Sequence, residues 1–154
     1  MIRIGIGTDL HRLERNSRPL IIGSVHVPSD LGPVSHSDGD CLVHAIIDSL
    51  YGCLGLGDIG SHFPDSDQRY RDACSMDLLA QCYSQIKDKG YRLVNLDATV
   101  ELDAPRLRPY VDSIRAALAD ALETDPGFIS IKAKTTESTS PMTIKAIAAC
   151  LVEN

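Results

Sequence analysis

Tryptophan is absent from these 154 residues, and aromatic side chains make up only 5% of them. A core built from such a chain must be aliphatic. Positive charge is in deficit as well: 15 Lys and Arg face 21 Asp and Glu, for a formal net charge of −6. A nucleic-acid surface needs a basic face, so that partner is excluded. A small phosphorylated ligand is not, because a few local cations, a metal or backbone N–H groups suffice to hold one. No apolar run approaches the ~18–20 residues of a membrane span, so no membrane partner is expected. No signal peptide or Arg/Ser-rich transit segment precedes "MIRIGIGTDLH", and the expected location is a bacterial cytoplasm. Cys41, Cys53, Cys74, Cys82 and Cys150 form an odd set without a C-x-x-C pair. That favours reduced, mostly buried thiols over a disulfide framework, and supplies no motif for cysteine catalysis.

What is present begins with alternation. Ile2, Ile4 and Ile6 share one face of a strand, and Arg3, Gly5 and Gly7 share the other. A second extended stretch, "PLIIGSVHV", follows a short polar turn. "GPVSHSDGD" reads as a loop ending in an Asp that can cap a helix, on which Val43, Ile46, Ile47, Leu50 and Leu54 recur at helical spacing. The Gly-, Asp- and Ser-rich "GLGDIGSHFPDSDQRY" reads as a long functional loop. Met76, Leu79, Tyr83 and Ile86 mark a second helix, and "YRLVNLDATVEL" a strand. Val111, Ile114, Leu118 and Leu122 mark a third helix, "GFISIKAKTTE" another strand, and a last helix is expected from about Thr143. There is no internal repeat, low-complexity segment or linker. The order ββααβαβα predicts an α/β (α+β) fold: a single domain, 1–154, with a mixed or antiparallel sheet of four or more strands covered by helices. The helices do not alternate strictly with the strands, which argues against a doubly wound nucleotide fold.

Asp9 and His11 continue the parity of Arg3, Gly5 and Gly7, so a persisting strand projects both from one face, opposite the isoleucines. His44, on the first helix, is the natural third member. Asp40 and Asp48 stand four residues to either side of it, placed to orient the imidazole. Two imidazoles and one carboxylate with a position open suit a catalytic Zn²⁺. The alternative is a turn-capping Asp9 and a half-buried, satisfied His44. "HSDGD" offers successive N–H groups, with His36 and Ser37 as donors to an anion, or else an ordinary N-capping loop. In "KAKTTE", Thr135 and Thr136 can donate to phosphate oxygens and Glu137 can hold a hard cation; the alternative is an exposed strand end rich in β-formers. "APRLRP" adds Arg106 and Arg108 between two prolines, which alone is weak evidence for a site.

Taken together, "IGTDLH", "HSDGDCLVHAIIDSLYG", "GDIGSHFPDSD" and "IKAKTTE" resemble the 2-C-methyl-D-erythritol 2,4-cyclodiphosphate synthase family, in order and nearly without gaps from Ile2 to about Glu137. The resemblance implies a homotrimer with each active site between adjacent subunits. It places Zn²⁺, or a similar divalent metal, on Asp9, His11 and His44. It places a second cation, Mg²⁺ or Mn²⁺, on Glu137, bridging the diphosphate. His36 and Thr135 fall on the family's transition-state-stabilising positions. Substrate contacts fall on Asp9, Leu10 and His11; on His36 and Ser37; on Asp58, Ile59 and Gly60; and on Phe63, Pro64, Asp65, Ser66 and Asp67. The cytidine pocket falls on Ala104, Pro105, Arg106 and Leu107, and on Lys134, Thr135, Thr136 and Glu137.

The implied reaction converts 4-diphosphocytidyl-2-C-methyl-D-erythritol 2-phosphate, a cytidine diphosphate substrate, into the 2,4-cyclodiphosphate and CMP in the non-mevalonate route to isoprenoids. The enzyme is then a phosphorus–oxygen lyase. Two rivals use the same ligands: a metal-dependent phosphohydrolase giving linear product, and a non-catalytic trimer with a structural metal. After "TTE" the chain departs from the family. It reads "STSPMTIKAIAAC" where Leu-Gly-Phe and a Gly-Arg-x-Glu-Gly run are usual, and Lys145 replaces the Arg charge only loosely. No site residue is carried past Glu137.

Overall fold

The first strand, β1 (Ile2–Glu14), runs for 13 residues, and its two glycines decide where the first helix lies. A Cβ on Gly5 would stand 1.9 Å from the carbonyl oxygen of Ser49, and one on Gly7 2.1 Å from that of Ala45. Both oxygens belong to α1 (Cys41–Leu54). Glycine here lets a helix backbone lie directly on a strand backbone. The helix starts where the sequence places it: the Asp40 carboxylate accepts from Val43 N at 3.1 Å, and also from Gly23 N and Ser24 N. It ends at Gly55, in the left-handed conformation.

The computed structural model describes residues 1–154 except Ser17 and Asp65. "PLIIGSVHV" is a small hairpin of β2 (Leu20–Ile22) and β3 (Val25–Val27), and β4 (Gly32–Pro33) borders β1. The expected long loop contains the one-turn helix α2 (Ile59–His62) and a 3₁₀ turn at Gln68–Tyr70. The helix α3 (Ser75–Asp88), the strand β5 (Arg92–Leu102), the helix α4 (Val111–Ala121) and the strand β6 (Ile129–Lys134) follow as predicted.

The segment from Thr143 is not the expected helix. It forms β7 (Thr143–Glu153), an 11-residue strand. Ile144, Ala146, Ala148, Cys150 and Val152 are buried and alternate with half-buried neighbours, a period of two that an alanine-rich run masks. The reason is tertiary: β7 lies between β1 and β5, antiparallel to both, and opposes Gly5 with Cys150, Gly7 with Ala148 and Asp9 with Ala146. Small residues on both strands make the trough that receives α1. The sheet therefore has five strands in the order β4-β1-β7-β5-β6, antiparallel except for the β5/β6 pair, within the predicted mixed class.

Helices cover one face of this sheet: α1 lies on β1 and β7, α3 packs on α1, and α4 on β6. The core between is aliphatic, with Leu13, Ile46, Leu50, Leu79, Leu96 and Ile114 almost fully buried. Each such side chain contributes roughly 1.5–3 kcal/mol of transfer free energy. Ile2, Ile4, Ile6 and Leu10 project from the other face and are 60–71% exposed.

Replacing Gly7 with alanine should push α1 off the strand. The expected result is a loss of about 1–3 kcal/mol in urea unfolding, with a parallel loss of metal affinity, because Asp9 and His44 sit on opposite sides of that contact. Unchanged stability would mean that the close approach is not required.

Candidate metal centre and surrounding clefts

Because β1 and α1 lie backbone to backbone, residues two and four positions beyond Gly7 meet the first turns of the helix. Asp9 Oδ2 stands 2.9 Å from His11 Nε2 and 3.0 Å from His44 Nδ1. The two imidazole nitrogens are 3.4 Å apart. In a tetrahedral zinc site with bonds of about 2.0–2.1 Å, ligand atoms are separated by roughly 3.3 Å, so these three atoms fit the edges of one coordination shell. Among the described residues, no fourth His, Cys, Asp or Glu joins the group, which leaves a position for water or substrate. Burial acts to raise the Asp9 pKa, but hydrogen bonds and charge from His11 and His44 outweigh it and hold the carboxyl well below the usual range. The alternative of a turn-capping Asp9 does not describe this site.

The orientation of His44 has a source the sequence did not suggest. With Nδ1 facing the metal position, the Nε2 proton is donated to Ser75 Oγ at 2.8 Å, and the Ser75 hydroxyl donates to Asp38. Asp38 also accepts from Ser75 N at 2.8 Å. Asp40 and Asp48, the flanking acids expected to orient the ring, are engaged elsewhere. Asp40 caps α1 and ties down Gly23 and Ser24, and Asp48 accepts from Ile59 N at 2.7 Å. Ser75 opens α3, 31 residues after His44, and no local pattern could have linked the two.

A cleft of about 280 Å³ opens over the centre, lined by Asp9, His11, His44, His36, Ser37, Ile59, Gly60 and Phe63, among others. Ser37 Oγ stands 3.2 Å from His44 Nε2. The 58–70 segment is shaped by its own caps: Asp58 accepts from Ser61 N and Oγ, and Asp67 pairs with Arg69 at 2.6 Å. The imidazole of His62 stacks on Tyr51, ring centres 3.8 Å apart, and Phe63 meets Tyr70 edge to face. The Pro64 carbonyl accepts from Asp67 N, and Ser66 borders a neighbouring cleft with Arg18 and Arg71. Asp65 lies outside the described residues.

Other predicted residues stand apart from this cleft. Leu10, with the opposite parity on β1, faces the uncovered side of the sheet, where it lines a second cleft of about 470 Å³ with Thr135, Thr136 and Glu137. Thr135 Oγ1 donates to Glu137 at 3.0 Å, and Glu137 and Ser138 turn the chain in the left-handed conformation. Asp103, also unforeseen, pins this turn by accepting from Thr136 N at 2.6 Å and from Thr136 Oγ1. Lys145 lies on the same side, 3.9 Å from Glu101. Ala104 and Pro105 line a third cleft with Pro28, Leu31 and Met142. Arg106 and Lys134 are exposed, and Leu107 is buried in the core. Cys41, Cys53, Cys82 and Cys150 are buried and unpaired, and burial pushes the Cys53 thiol up to about 11 and the Cys82 thiol to about 12, away from the thiolate a nucleophile needs.

A carboxylate and two imidazoles converge at the foot of an open cleft on a mixed α/β sheet, a group able to hold a metal ion and the kind of site an enzyme carries. The family model described as the YgbB family matches residues 2–153, and the chain belongs to that family. The 2-C-methyl-D-erythritol 2,4-cyclodiphosphate synthase of Shouchella clausii is 47% identical over 138 residues, covering 90% of this chain and 86% of the relative. The synthase of the same name from Fusobacterium nucleatum is 49% identical over 137 residues, covering 89% and 85%. A solved 2C-methyl-D-erythritol-2,4-cyclodiphosphate synthase in its CDP-bound form superposes with a TM-score of 0.93 at 36% identity, covering 98% of this chain and 100% of that one.

Replacing Ser75 with alanine should leave the three ligands in place but free the His44 ring. Zinc affinity, measured by competition with a chelator, should then fall about 10–100-fold. Unaltered affinity would show that Ser75 does not orient the ligand.

Proposed function

We propose that the chain is a phosphorus–oxygen lyase that converts 4-diphosphocytidyl-2-C-methyl-D-erythritol 2-phosphate into 2-C-methyl-D-erythritol 2,4-cyclodiphosphate and CMP. The observation that carries this reading is the three-ligand centre at the foot of the cleft, in a chain nearly half identical to synthases of that name over about nine-tenths of its length. The relatives from Shouchella clausii and Fusobacterium nucleatum are bacterial, and a bacterial cytoplasm is the location we assign. All 154 residues serve as one cyclodiphosphate-synthase-like domain.

In the reaction, an oxygen of the 2-phosphate attacks the β-phosphorus of the CDP group. One P–O bond forms there, and the bond from β-phosphorus to the oxygen it shares with the α-phosphate breaks, leaving the electron pair on CMP. The nucleophile is already an anion, so no serine or cysteine base pair is needed. Asp9, His11 and His44 would hold the first metal, zinc or a similar divalent ion, and Glu137 would hold the second, magnesium or manganese. When bound, these cations neutralise charge on the diphosphate. The chain's own residues do the rest. His36 and Ser37 donate to the phosphate carrying the developing charge, and Ile59 and Gly60 bring the methylerythritol over the centre. Thr135 donates to the diphosphate, Thr136 holds the turn in place by donating to Asp103, and Ala104 and Pro105 wall the cytidine. Holding both ends of one flexible molecule removes much of the entropic barrier, worth roughly 7–11 kcal/mol at the ideal limit.

We further propose a homotrimer. Ile2, Ile4, Ile6 and Leu10 form an apolar band on an uncovered sheet face, and a band of this kind marks an interaction surface. Leu10 adjoins the cleft that holds Thr135 and Glu137, on the face of β1 opposite the metal cleft. A neighbouring copy seated on this band supplies the second half of the site, so each active site spans two subunits.

Phosphorus NMR of the protein with the cytidyl substrate, zinc and magnesium should give the cyclic diphosphate and CMP; a linear phosphate would assign a hydrolase instead. His11→Ala should lose bound zinc and turnover together while the assembly persists, and full turnover without zinc would remove His11 from the ligand set. Ile4→Asp should dissociate the trimer by light scattering and abolish turnover with zinc retained. An active monomer would refute the shared site.

A further inference from the structure

We propose that Arg18, which no motif singled out, is a positioning residue for the ring-closing reaction, fixing the backbone that presents His36 and Ser37; the role rests on the reading given under Proposed function. Ser35, His36 and Ser37 belong to no helix or strand, so no ladder of hydrogen bonds holds them. Their three carbonyl groups are nevertheless all engaged. Arg18 Nη1 donates to Ser35 O at 2.8 Å and to Ser37 O at 2.7 Å. His36 O, between them, accepts from Asp72 N at 3.0 Å. Arg18 Nη2 closes the ring by donating to Asp72 Oδ1 at 2.9 Å. Asp72 adopts the left-handed conformation that turns its N–H toward the loop.

The clamp therefore grips the tripeptide through its backbone and leaves the exposed His36 imidazole to the cleft, while Ser37 Oγ accepts from Gly39 N at 3.2 Å and stands 3.2 Å from His44 Nε2. The exposed Asp72 carboxylate contributes little through its charge, because water screens such pairs. The two carbonyl contacts matter more. They are donated by a cation, which makes them about twice as strong as neutral hydrogen bonds, and the partly buried guanidinium is planar. Lysine offers a point charge in place of that fork and cannot reach two carbonyls and a carboxylate in one geometry. Arg18 touches none of Asp9, His11 and His44, so its effect on chemistry passes through loop position alone. Shifting a donor by about 1 Å relative to a reacting phosphate can cost on the order of 100-fold in rate.

The test compares wild type, Arg18→Ala, Arg18→Lys and Asp72→Asn, each loaded with zinc and magnesium. Readouts are kcat and KM for cyclic product, CMP affinity, zinc content and melting temperature. Arg18→Ala should lower kcat by about 10–100-fold, with zinc content, CMP affinity and assembly as in wild type. Added guanidinium ion, at levels too low to denature, should restore part of the loss by filling the vacated site. Arg18→Lys should remain impaired and should decide the matter if Arg18→Ala is insoluble. Asp72→Asn keeps its N–H on His36 O and should lose far less. A kcat for both Arg18 variants within about twofold of wild type would overturn the proposal. So would a joint fall of kcat, zinc content, CMP affinity and melting temperature without rescue, since that describes a merely structural arginine. Wild type making no cyclic product would remove the functional reading itself, an outcome distinct from any difference between the variants.

Discussion

The direct approach of a helix backbone to a strand backbone governs this molecule. Gly5 and Gly7 give α1 nowhere to rest except on the main chain of β1, and Cys150, Ala148 and Ala146 widen the same trough from β7. The Asp9, His11 and His44 group is arranged along that seam. The strand runs on past its glycines to Asp9 and His11, the helix begins at Asp40 and reaches His44 within its first turns, and the three ligand atoms converge without a loop having to carry them. A centre built on two regular elements is held more firmly than one built on loops. Its rigidity is inherited from the aliphatic core beneath it.

Around this fixed centre the remaining machinery is tied down by local hydrogen bonds in place of sheet or helix ladders. Ser75 and Asp38 orient His44, Asp48 holds Ile59, Tyr51 and His62 stack beneath the 58–70 segment, and Asp103 pins Thr136. None of Ser75, Asp38, Asp48, Tyr51, His62 and Asp103 is read as touching substrate. Loops that must present donors to a phosphate gain accuracy when their own backbone polar groups are satisfied, since an unpaired carbonyl would otherwise draw the loop toward other partners. The Arg18 contacts to Ser35 and Ser37 belong to the same pattern.

The two faces of β1 divide the chemistry between them. One face carries Asp9 and His11 and lies under α1; the other carries Ile2, Ile4, Ile6 and Leu10 and lies uncovered. Residue parity on a strand thus sets the apolar band opposite Asp9 and His11. Leu10 stands between Asp9 and His11 in sequence but looks into the opposite cleft, with Thr135 and Glu137. In the trimer proposed above, a second copy lying on the uncovered face would complete what a single copy leaves apart.

By itself the sequence determined the strand parity that aligns Asp9 with His11, the capped helix that carries His44, the later helices α3 and α4, and the family to which the motifs point. These are short-range matters, set by periods of two and 3.6 and by capping chemistry. Tertiary structure alone decided the rest. The Thr143–Glu153 run, alanine-rich and open to a helical reading, became the strand β7 because the sheet needed small side chains beneath α1. Asp40 and Asp48, aligned with His44 on paper, turned to backbone N–H groups, while Ser75 arrived from another helix to accept a hydrogen bond from the imidazole. Arg18 and Asp103 gained their roles in the same way. Hydrogen bonds between segments distant along the chain leave no period in the sequence, and only the folded chain brings their partners within reach.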